Sequence, residues 1–145
     1  MHLEIRNLAI EDYDAIVALW KSAGLSYRPK GRDKKTMMQK QMATYPDFFV
    51  GAFLEEVLIG VVIGSYDGRM KGWINRLAVE PAHRRMGVAQ RLVDTLEKTL
   101  KEHGATVIGA MIEIPNKESV SFFQKMGYVS HPDILYVSKR ESQEM

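Results

Sequence analysis

The 145-residue sequence contains no cysteine. This absence excludes a disulfide framework, a cysteine-ligated zinc site, an iron–sulfur cluster and a thiol nucleophile within these residues. A large excess of charge of one sign is also missing, because 20 Lys and Arg stand against 18 Asp and Glu, a net charge of +2. A dedicated nucleic-acid-binding protein is usually more basic, so we expect no nucleic-acid partner.

Long hydrophobic runs are missing as well. The longest uninterrupted apolar stretch is residues 57–64, well short of the roughly 20 residues that a membrane-spanning helix needs. Residues 1–6 alternate in polarity and lack the basic-then-apolar order of a signal peptide. We therefore expect a cytoplasmic protein with no membrane partner. The four histidines lack the spacing of metal ligands, and we expect no metal site.

The composition is typical of a folded domain, with 46% hydrophobic and 26% charged residues. No linker rich in proline, glycine or serine divides the chain. We predict one domain over residues 1–138, followed by a polar and frayed tail over residues 139–145. We expect a monomer or a homodimer.

Hydrophobic periodicity predicts a mixed α/β fold. A period of two indicates strands over residues 2–6, 48–54, 57–65, 73–79 and 106–114, and a last extended segment over 128–137. A period near 3.6 indicates helices over residues 10–23, 36–43, 88–103 and 116–126. The strand–helix–strand unit over residues 73–114 predicts a right-handed parallel crossover in a mostly antiparallel sheet with helices on both faces.

The most informative segment is the loop before the long third helix. Residues 84–89 read RRMGVA, so two arginines precede a glycine where the helix starts. A helix N-terminus leaves backbone N–H groups unpaired and carries partial positive charge, and glycine lets an anion approach them. The pattern predicts a phosphate site. A basic turn that ends in a glycine cap would have the same sequence.

Two motifs resemble those of the GNAT superfamily of N-acetyltransferases. Residues 84–89 match its Arg/Gln-x-x-Gly-x-Gly/Ala signature. Residues 116–128 resemble its Asn-x-x-Ala-x-x-Leu-Tyr-x-x-x-Gly-Phe motif, with Asn116, Ser119, Phe122, Phe123, Gly127 and Tyr128 at the same spacings. The resemblance covers nearly the whole chain and is to the small, single-domain bacterial type. It implies a V-shaped opening between the strand that ends at Val79 and the strand that begins near Thr106.

The resemblance also implies that acetyl-CoA is the co-substrate. The backbone of Leu77, Ala78 and Val79 would hold its pantetheine arm, and the Leu77 N–H would face the thioester oxygen. Its pyrophosphate would lie against Arg84, Arg85, Met86, Gly87, Val88, Ala89 and Gln90. Asn116 and Phe123 would contact it from the last helix.

The expected proton-transfer groups are unusual. The tyrosine that is often the general acid in the family falls at Phe123, and two positions that often carry a glutamate fall at Trp73 and Met111. Glu113 follows Met111 by two residues, so strand alternation predicts that it shares the same face. Glu113 is therefore either the base or an exposed strand carboxylate. Tyr128 either replaces the missing acid or is a packing aromatic, and transfer through water is a third route.

A basic loop lies between the first two predicted helices. It includes Tyr27, Arg28, Lys30 and Arg32, with Asp33 as its one acidic residue. In the GNAT superfamily this segment borders the acceptor. The loop therefore either selects an anionic acceptor, such as an acidic peptide or an amino-acid carboxylate, or is a solvated surface.

Two functions follow from the resemblance. The first is an N-acetyltransferase that moves an acetyl group to a primary amine by direct attack in a ternary complex. The amine would belong to a small molecule, an amino acid or a peptide or protein N-terminus. The second is a catalytically weak acyl-CoA-binding regulatory or interaction module, because Phe123, Trp73 and Met111 cannot donate or accept a proton in the expected places.

Overall fold

The computed structural model describes residues 2–145. Its strands are β1 (Leu3–Asn7), β2 (Phe49–Leu54), β3 (Val57–Tyr66), β4 (Lys71–Val79) and β5 (Val107–Ala110). Its helices are α1 (Tyr13–Ser22), α2 (Lys35–Thr44), α3 (Val88–His103) and α4 (Lys117–Lys125). Three short 3-10 helices span Ile10–Asp12, Pro46–Phe48 and Pro81–His83. No helix within residues 2–145 is both long enough and apolar enough to cross a membrane.

The five strands form one sheet in the order β1-β2-β3-β4-β5. The first four strands pair antiparallel, and β4 pairs with β5 parallel through the α3 crossover. The predicted mixed, mostly antiparallel sheet with a central β-α-β unit is therefore confirmed. The parallel pair places the start of α3 beyond the end of β4, where ligand sites form in crossovers of this kind.

A leucine stripe on α3 packs directly on the sheet. Leu92, Leu96 and Leu100 recur every four residues and are fully buried, as expected for the apolar face of a helix. Opposite them the strands carry glycines: a Cβ at Gly64 would lie 2.7 Å from a Leu96 methyl carbon, and one at Gly72 would lie 3.0 Å from Leu100. The missing side chains let α3 approach closely, while α1 covers the other face.

The β2–β3 hairpin turns at Glu55 and Glu56. Glutamate is a poor residue for a two-residue hairpin turn, which needs positive φ at both positions. The structure nevertheless has φ of 49° and 68° at the two glutamates. The hairpin is therefore confirmed, and core burial of the flanking strands outweighs the unfavourable turn residues.

Two predicted strands differ from the structure. Of the strand predicted over residues 106–114, only Val107–Ala110 forms, as β5. The last segment, residues 128–137, forms no strand. Val129, Leu135 and Val137 in that segment are all more than 70% exposed. Their β-branched and apolar composition suits a strand, but a strand requires a hydrogen-bonded neighbour, which residues 2–145 do not supply here.

Candidate functional site

The opening expected from the sequence lies between β4 and β5. The two strands pair only from Lys71 to Ile74 on β4 and from Val107 to Ala110 on β5. The rest of β4, up to Val79, has no strand partner on that side within residues 2–145. Its backbone groups can therefore bind an extended ligand in the way that one strand binds another. At the mouth of the opening, Arg84 donates a hydrogen bond from Nε to the Val79 carbonyl, at 3.2 Å.

A β-bulge interrupts β4 beside this free edge. Ile63 of β3 faces Asn75, but Val61 faces Ala78, so β4 holds one extra residue. Arg76 takes a left-handed φ of 49° to make the bulge. A bulge leaves a backbone group outside the ladder and redirects the strand. Leu77, the predicted oxyanion-type donor, follows Arg76 directly and is part of this irregularity.

The loop before α3 has the geometry of an anion site. Arg85 and Gly87 both have left-handed φ, at 70° and 76°, and α3 begins at Val88. No side chain caps the helix, and its first turn has no acidic residue. The first backbone N–H groups of this 16-residue helix are thus left for a ligand.

The side chains of this loop separate into two groups. Arg84, Arg85, Met86 and Gln90 are exposed around the helix start. Val88 is 1% exposed and packs in the core, and Ala89 is half-buried, so these two residues offer only backbone to a ligand. No heavy atom lies within 4 Å of the position a Gly87 Cβ would take. The cradle is open, and the residues present fit a phosphate.

Helix α4 follows β5 along the chain. Asn116 is its N-cap, and its side-chain oxygen accepts the Ser119 N–H at 3.1 Å. The Asn116 Nδ2 group keeps its two donors for a ligand. Phe123 is buried and packs edge-on against Phe122 and Tyr128. Its ring provides packing surface but cannot donate a proton.

The basic loop between α1 and α2 carries contacts that the sequence does not reveal. Arg28 donates from Nη1 to the Gln143 carbonyl at 2.8 Å, and Lys30 lies 3.3 Å from the Glu144 carboxylate. Residues 143–145 therefore lie against the loop. Tyr27 and Arg32 belong to the same loop, with Arg32 exposed and Tyr27 half-buried.

Arg76 and Asp33 are the site residues that sequence reasoning missed. Asp33 is the one buried charged residue within residues 2–145, at 7% exposure. Its carboxylate accepts the Arg28 N–H at 2.7 Å and Arg76 Nη2 at 3.3 Å. Burial lowers the pKa of Arg76, and the Asp33 carboxylate opposes that shift. The sequence contains one signal for Arg76. It stands where the alternation of Gly72, Ile74 and Ala78 predicts a side chain that faces the interior.

Two tyrosines extend this network. Tyr13 donates from its hydroxyl to the Asp33 carbonyl at 2.5 Å, which uses its one proton. The Tyr27 hydroxyl, 3.0 Å from the Tyr13 oxygen, must then be the donor of that second bond. Burial, followed by the bond to Tyr27, raises the pKa of Tyr13. Tyr27 therefore has no proton for an anionic acceptor and instead fixes the loop.

Glu113 lies outside the strand that was predicted to orient it. The strand that should have oriented it ends at Ala110, so strand alternation does not place Glu113. The residue is exposed in the loop after β5. Trp73 lies under Lys71, and Met111 is exposed.

Within residues 2–145, no three His, Asp or Glu side chains come close enough together to hold a metal ion.

Comparison with known proteins identifies the family. A family model described as the acetyltransferase (GNAT) family matches residues 6–128. The chain belongs to this family. The acetyltransferase SG1711 of Sodalis glossinidius is 31% identical over 144 residues, covering 98% of this chain and 99% of that protein. The acetyltransferase ECA0875 of Pectobacterium atrosepticum is 30% identical over 138 residues, covering 95% of each.

The GNAT fold is also found by structure. The crystal structure of the PaiA N-acetyltransferase from Thermoplasma acidophilum in complex with coenzyme A superposes with a TM-score of 0.77. It is 21% identical and covers 87% of this chain and 89% of that one. This likeness shows that the open sheet and the α3 crossover are those of a GNAT domain.

Proposed function

We propose that this GNAT protein transfers an acetyl group from acetyl-CoA to a primary amine by direct attack in a ternary complex. The observation that carries the proposal is the adjacency of two ligand-binding features. The free edge of β4 ends at Val79, and α3 begins without a side-chain cap at Val88, directly after Gly87. Together they suit one ligand with an amide-containing arm followed by a pyrophosphate.

The residues that would hold acetyl-CoA follow from this geometry. The backbone of Leu77, Ala78 and Val79 would pair with the arm. The Val79 carbonyl would then give up its hydrogen bond from Arg84. The N–H groups of residues 85–90 would bind the pyrophosphate, with the charges of Arg84 and Arg85 beside it. Asn116 and the Phe123 ring would contact the ligand from α4. The PaiA N-acetyltransferase, whose structure contains coenzyme A, has the same fold and supports this choice.

The mechanism assigns few roles to side chains. When bound, acetyl-CoA supplies an activated acyl carbonyl. The Leu77 N–H, at the bulge, donates a hydrogen bond to the carbonyl oxygen and stabilises the charge that develops there. Glu113 takes a proton from the incoming ammonium, directly or through one water. No side-chain acid is assigned, because Phe123 has no proton and Tyr128 is bonded elsewhere.

We propose further that the acceptor carries negative charge near its amine. The support is that C-terminal residues already contact the basic loop. Arg28 donates to the backbone carbonyl of Gln143, and Lys30 pairs with the Glu144 carboxylate. These are the groups that an acidic peptide or an amino-acid carboxylate would present. Arg28, Lys30 and Arg32 would bind the acceptor's carboxylates, and Tyr27 would hold the loop rather than the ligand.

A second candidate is an acyl-CoA-binding module with little turnover. The positions where the family often has proton-transfer groups carry Phe123, Trp73 and Met111. The Tyr128 hydroxyl is hydrogen-bonded to Glu97. Because a coenzyme A thiolate leaves without help more readily than an alkoxide, these replacements weaken acid catalysis without abolishing transfer.

Two measurements test the proposal in sequence. Acetyl-CoA at about 100 times its Kd should stabilise the protein by about 2.7 kcal/mol, seen as a rise in Tm. Thiol release from acetyl-CoA should then exceed hydrolysis for at least one acceptor in a panel of neutral and acidic amines, amino acids and peptides. A rise in Tm with no turnover across the panel would favour the binding module. No rise in Tm would reject acetyl-CoA as the ligand.

A further inference from the structure

One side chain links the two halves of the proposed site. The backbone of Arg76 makes the β4 bulge, with φ of 49°, and so determines where the Leu77 N–H points. The Arg76 side chain leaves the strand and donates from Nη2 to the Ser26 carbonyl at 2.5 Å and to Asp33 Oδ2 at 3.3 Å. Ser26 and Asp33 belong to the loop between α1 and α2.

The guanidinium is held on a second side by an aromatic ring. Its central carbon lies 4.2 Å from the centroid of the Trp20 ring, and Trp20 is fully buried in α1. An arginine stacked on a tryptophan gains both electrostatic and planar contact. Arg76 therefore contacts α1, the following loop and β4 at once. Its side chain is about three-quarters buried, so water competes little for these bonds.

Asp33 is the matching residue on the loop. Its side chain joins Arg76 to the Arg28 N–H, and its backbone carbonyl accepts the Tyr13 hydroxyl. Arg76, Arg28 and Tyr13 thus all meet at Asp33, although Arg76 and Tyr13 lie 43 and 20 residues from it in the sequence. Removing either partner of such a buried charge pair leaves the other charge without compensation, which is strongly destabilising.

We propose that Arg76 is a positioning residue that couples the acceptor loop to the β4 bulge and so sets the distance between the acceptor amine and the thioester. This inference rests on the proposed function. A shift of the loop would move Arg28 and Arg32, while a shift of the bulge would move the Leu77 N–H. Misplacement of reacting groups by as little as 1 Å can cost about 100-fold in rate.

The first test needs no substrate. In Asp33→Asn, hydrogen exchange at backbone amides should accelerate by about tenfold both in the loop, residues 26–33, and in the bulge, residues 76–78, as expected when a local unit loses its restraint. Asp33 reaches the bulge only through Arg76 among the contacts above. In an Arg76→Met background, Asp33→Asn should cause no further acceleration at the bulge. Acceleration confined to the loop would overturn the coupling.

The second test uses turnover. Arg76→Met should lower kcat/KM for the acceptor by about 10- to 100-fold, while the Kd for acetyl-CoA stays within about twofold of wild type. Arg76→Lys should restore part of the loss, because it keeps the cation. Arg69→Met, in the exposed β3–β4 turn, is the matched control and should behave like wild type. Equal losses in acetyl-CoA affinity and acceptor turnover would overturn the assignment.

The two failures are distinguishable. If wild-type protein does not bind acetyl-CoA, the proposed function fails, whereas the exchange experiment still decides whether loop and bulge are coupled. If Arg76→Met unfolds, Arg76→Lys and Asp33→Asn carry both tests, and unchanged exchange at the bulge in both variants rejects the coupling.

Discussion

Tyr128, at the end of the last motif, donates a hydrogen bond at 2.5 Å to the carboxylate of Glu97, in the middle of α3. Burial and this carboxylate raise the pKa of Tyr128 well above its usual value. A phenol held in this way is a poor proton donor to any other group. Of the two roles open to Tyr128, this contact favours packing, and we expect no acid role for it.

Tyr128→Phe tests that assignment. The variant should lower the free energy of unfolding by about 1 kcal/mol, because a half-buried carboxylate loses its donor. Its kcat should remain that of wild type. The matched control is Tyr136→Phe, which removes a hydroxyl at a residue that is 61% exposed and should change neither quantity. A large loss of kcat in Tyr128→Phe alone would return the acid role to it.

The proposed phosphate cradle is tested at Gly87. Gly87→Glu should abolish the rise in Tm with acetyl-CoA, because it places a carboxylate where the phosphate would bind. Gly87→Asn is the control: asparagine tolerates the left-handed φ of 76° better than most residues and brings no charge. The asparagine variant should keep a measurable rise. Equal rises in both variants would mean that the pyrophosphate lies elsewhere.

Glu113→Gln tests the proposed base. If the carboxylate removes the proton, kcat should fall by about two to four orders of magnitude with acetyl-CoA affinity unchanged. The loss should shrink at high pH, because more of the amine then arrives neutral. A loss that persists at high pH would mean that the carboxylate also holds the ammonium.

The control for Glu113 is Glu118→Gln, an exposed carboxylate in the first turn of α4. It should leave the pH profile of kcat unchanged. Wild-type turnover in Glu113→Gln across the pH range would leave ordered water as the remaining route for the proton.

The C-terminal residues give a prediction about the acceptor loop. Glu144→Gln removes the charge that lies 3.3 Å from Lys30. Because an exposed ion pair is worth about 0.2–1 kcal/mol, KM for an acidic acceptor should fall by up to about fivefold. Glu141→Gln is the matched control in the same tail and should not change KM. A higher KM in Glu144→Gln, or no change, would show that the tail and the acceptor do not compete.

Local patterns in the sequence were sufficient for most of the fold. The leucines at 92, 96 and 100 define α3 because a helix repeats every 3.6 residues, and alternation defines β2 and β3. The loop before α3 was equally readable, since glycine at a helix start and the absence of acidic residues are local features. The family motifs placed the same loop and the start of α4 correctly.

Local patterns did not predict where β5 ends, nor that residues 128–137 form no strand. A strand ends where its neighbour stops supplying hydrogen bonds, and β4 turns away from β5 after Ile74. The bulge at Arg76 lies two residues beyond the last paired residue of β4. Strand alternation does not apply to Glu113, because β5 ends at Ala110.

The sequence by itself thus determined the order of the elements, the helix faces and the anion-binding loop, because each depends on residues within one or two turns of one another. Only the tertiary structure decided that Arg76 meets Asp33, 43 residues away, and that Tyr128 meets Glu97, 31 residues away. Such pairings depend on strand register and on how helices lie across the sheet. A buried charge also finds its partner only after the apolar core has brought the two elements together.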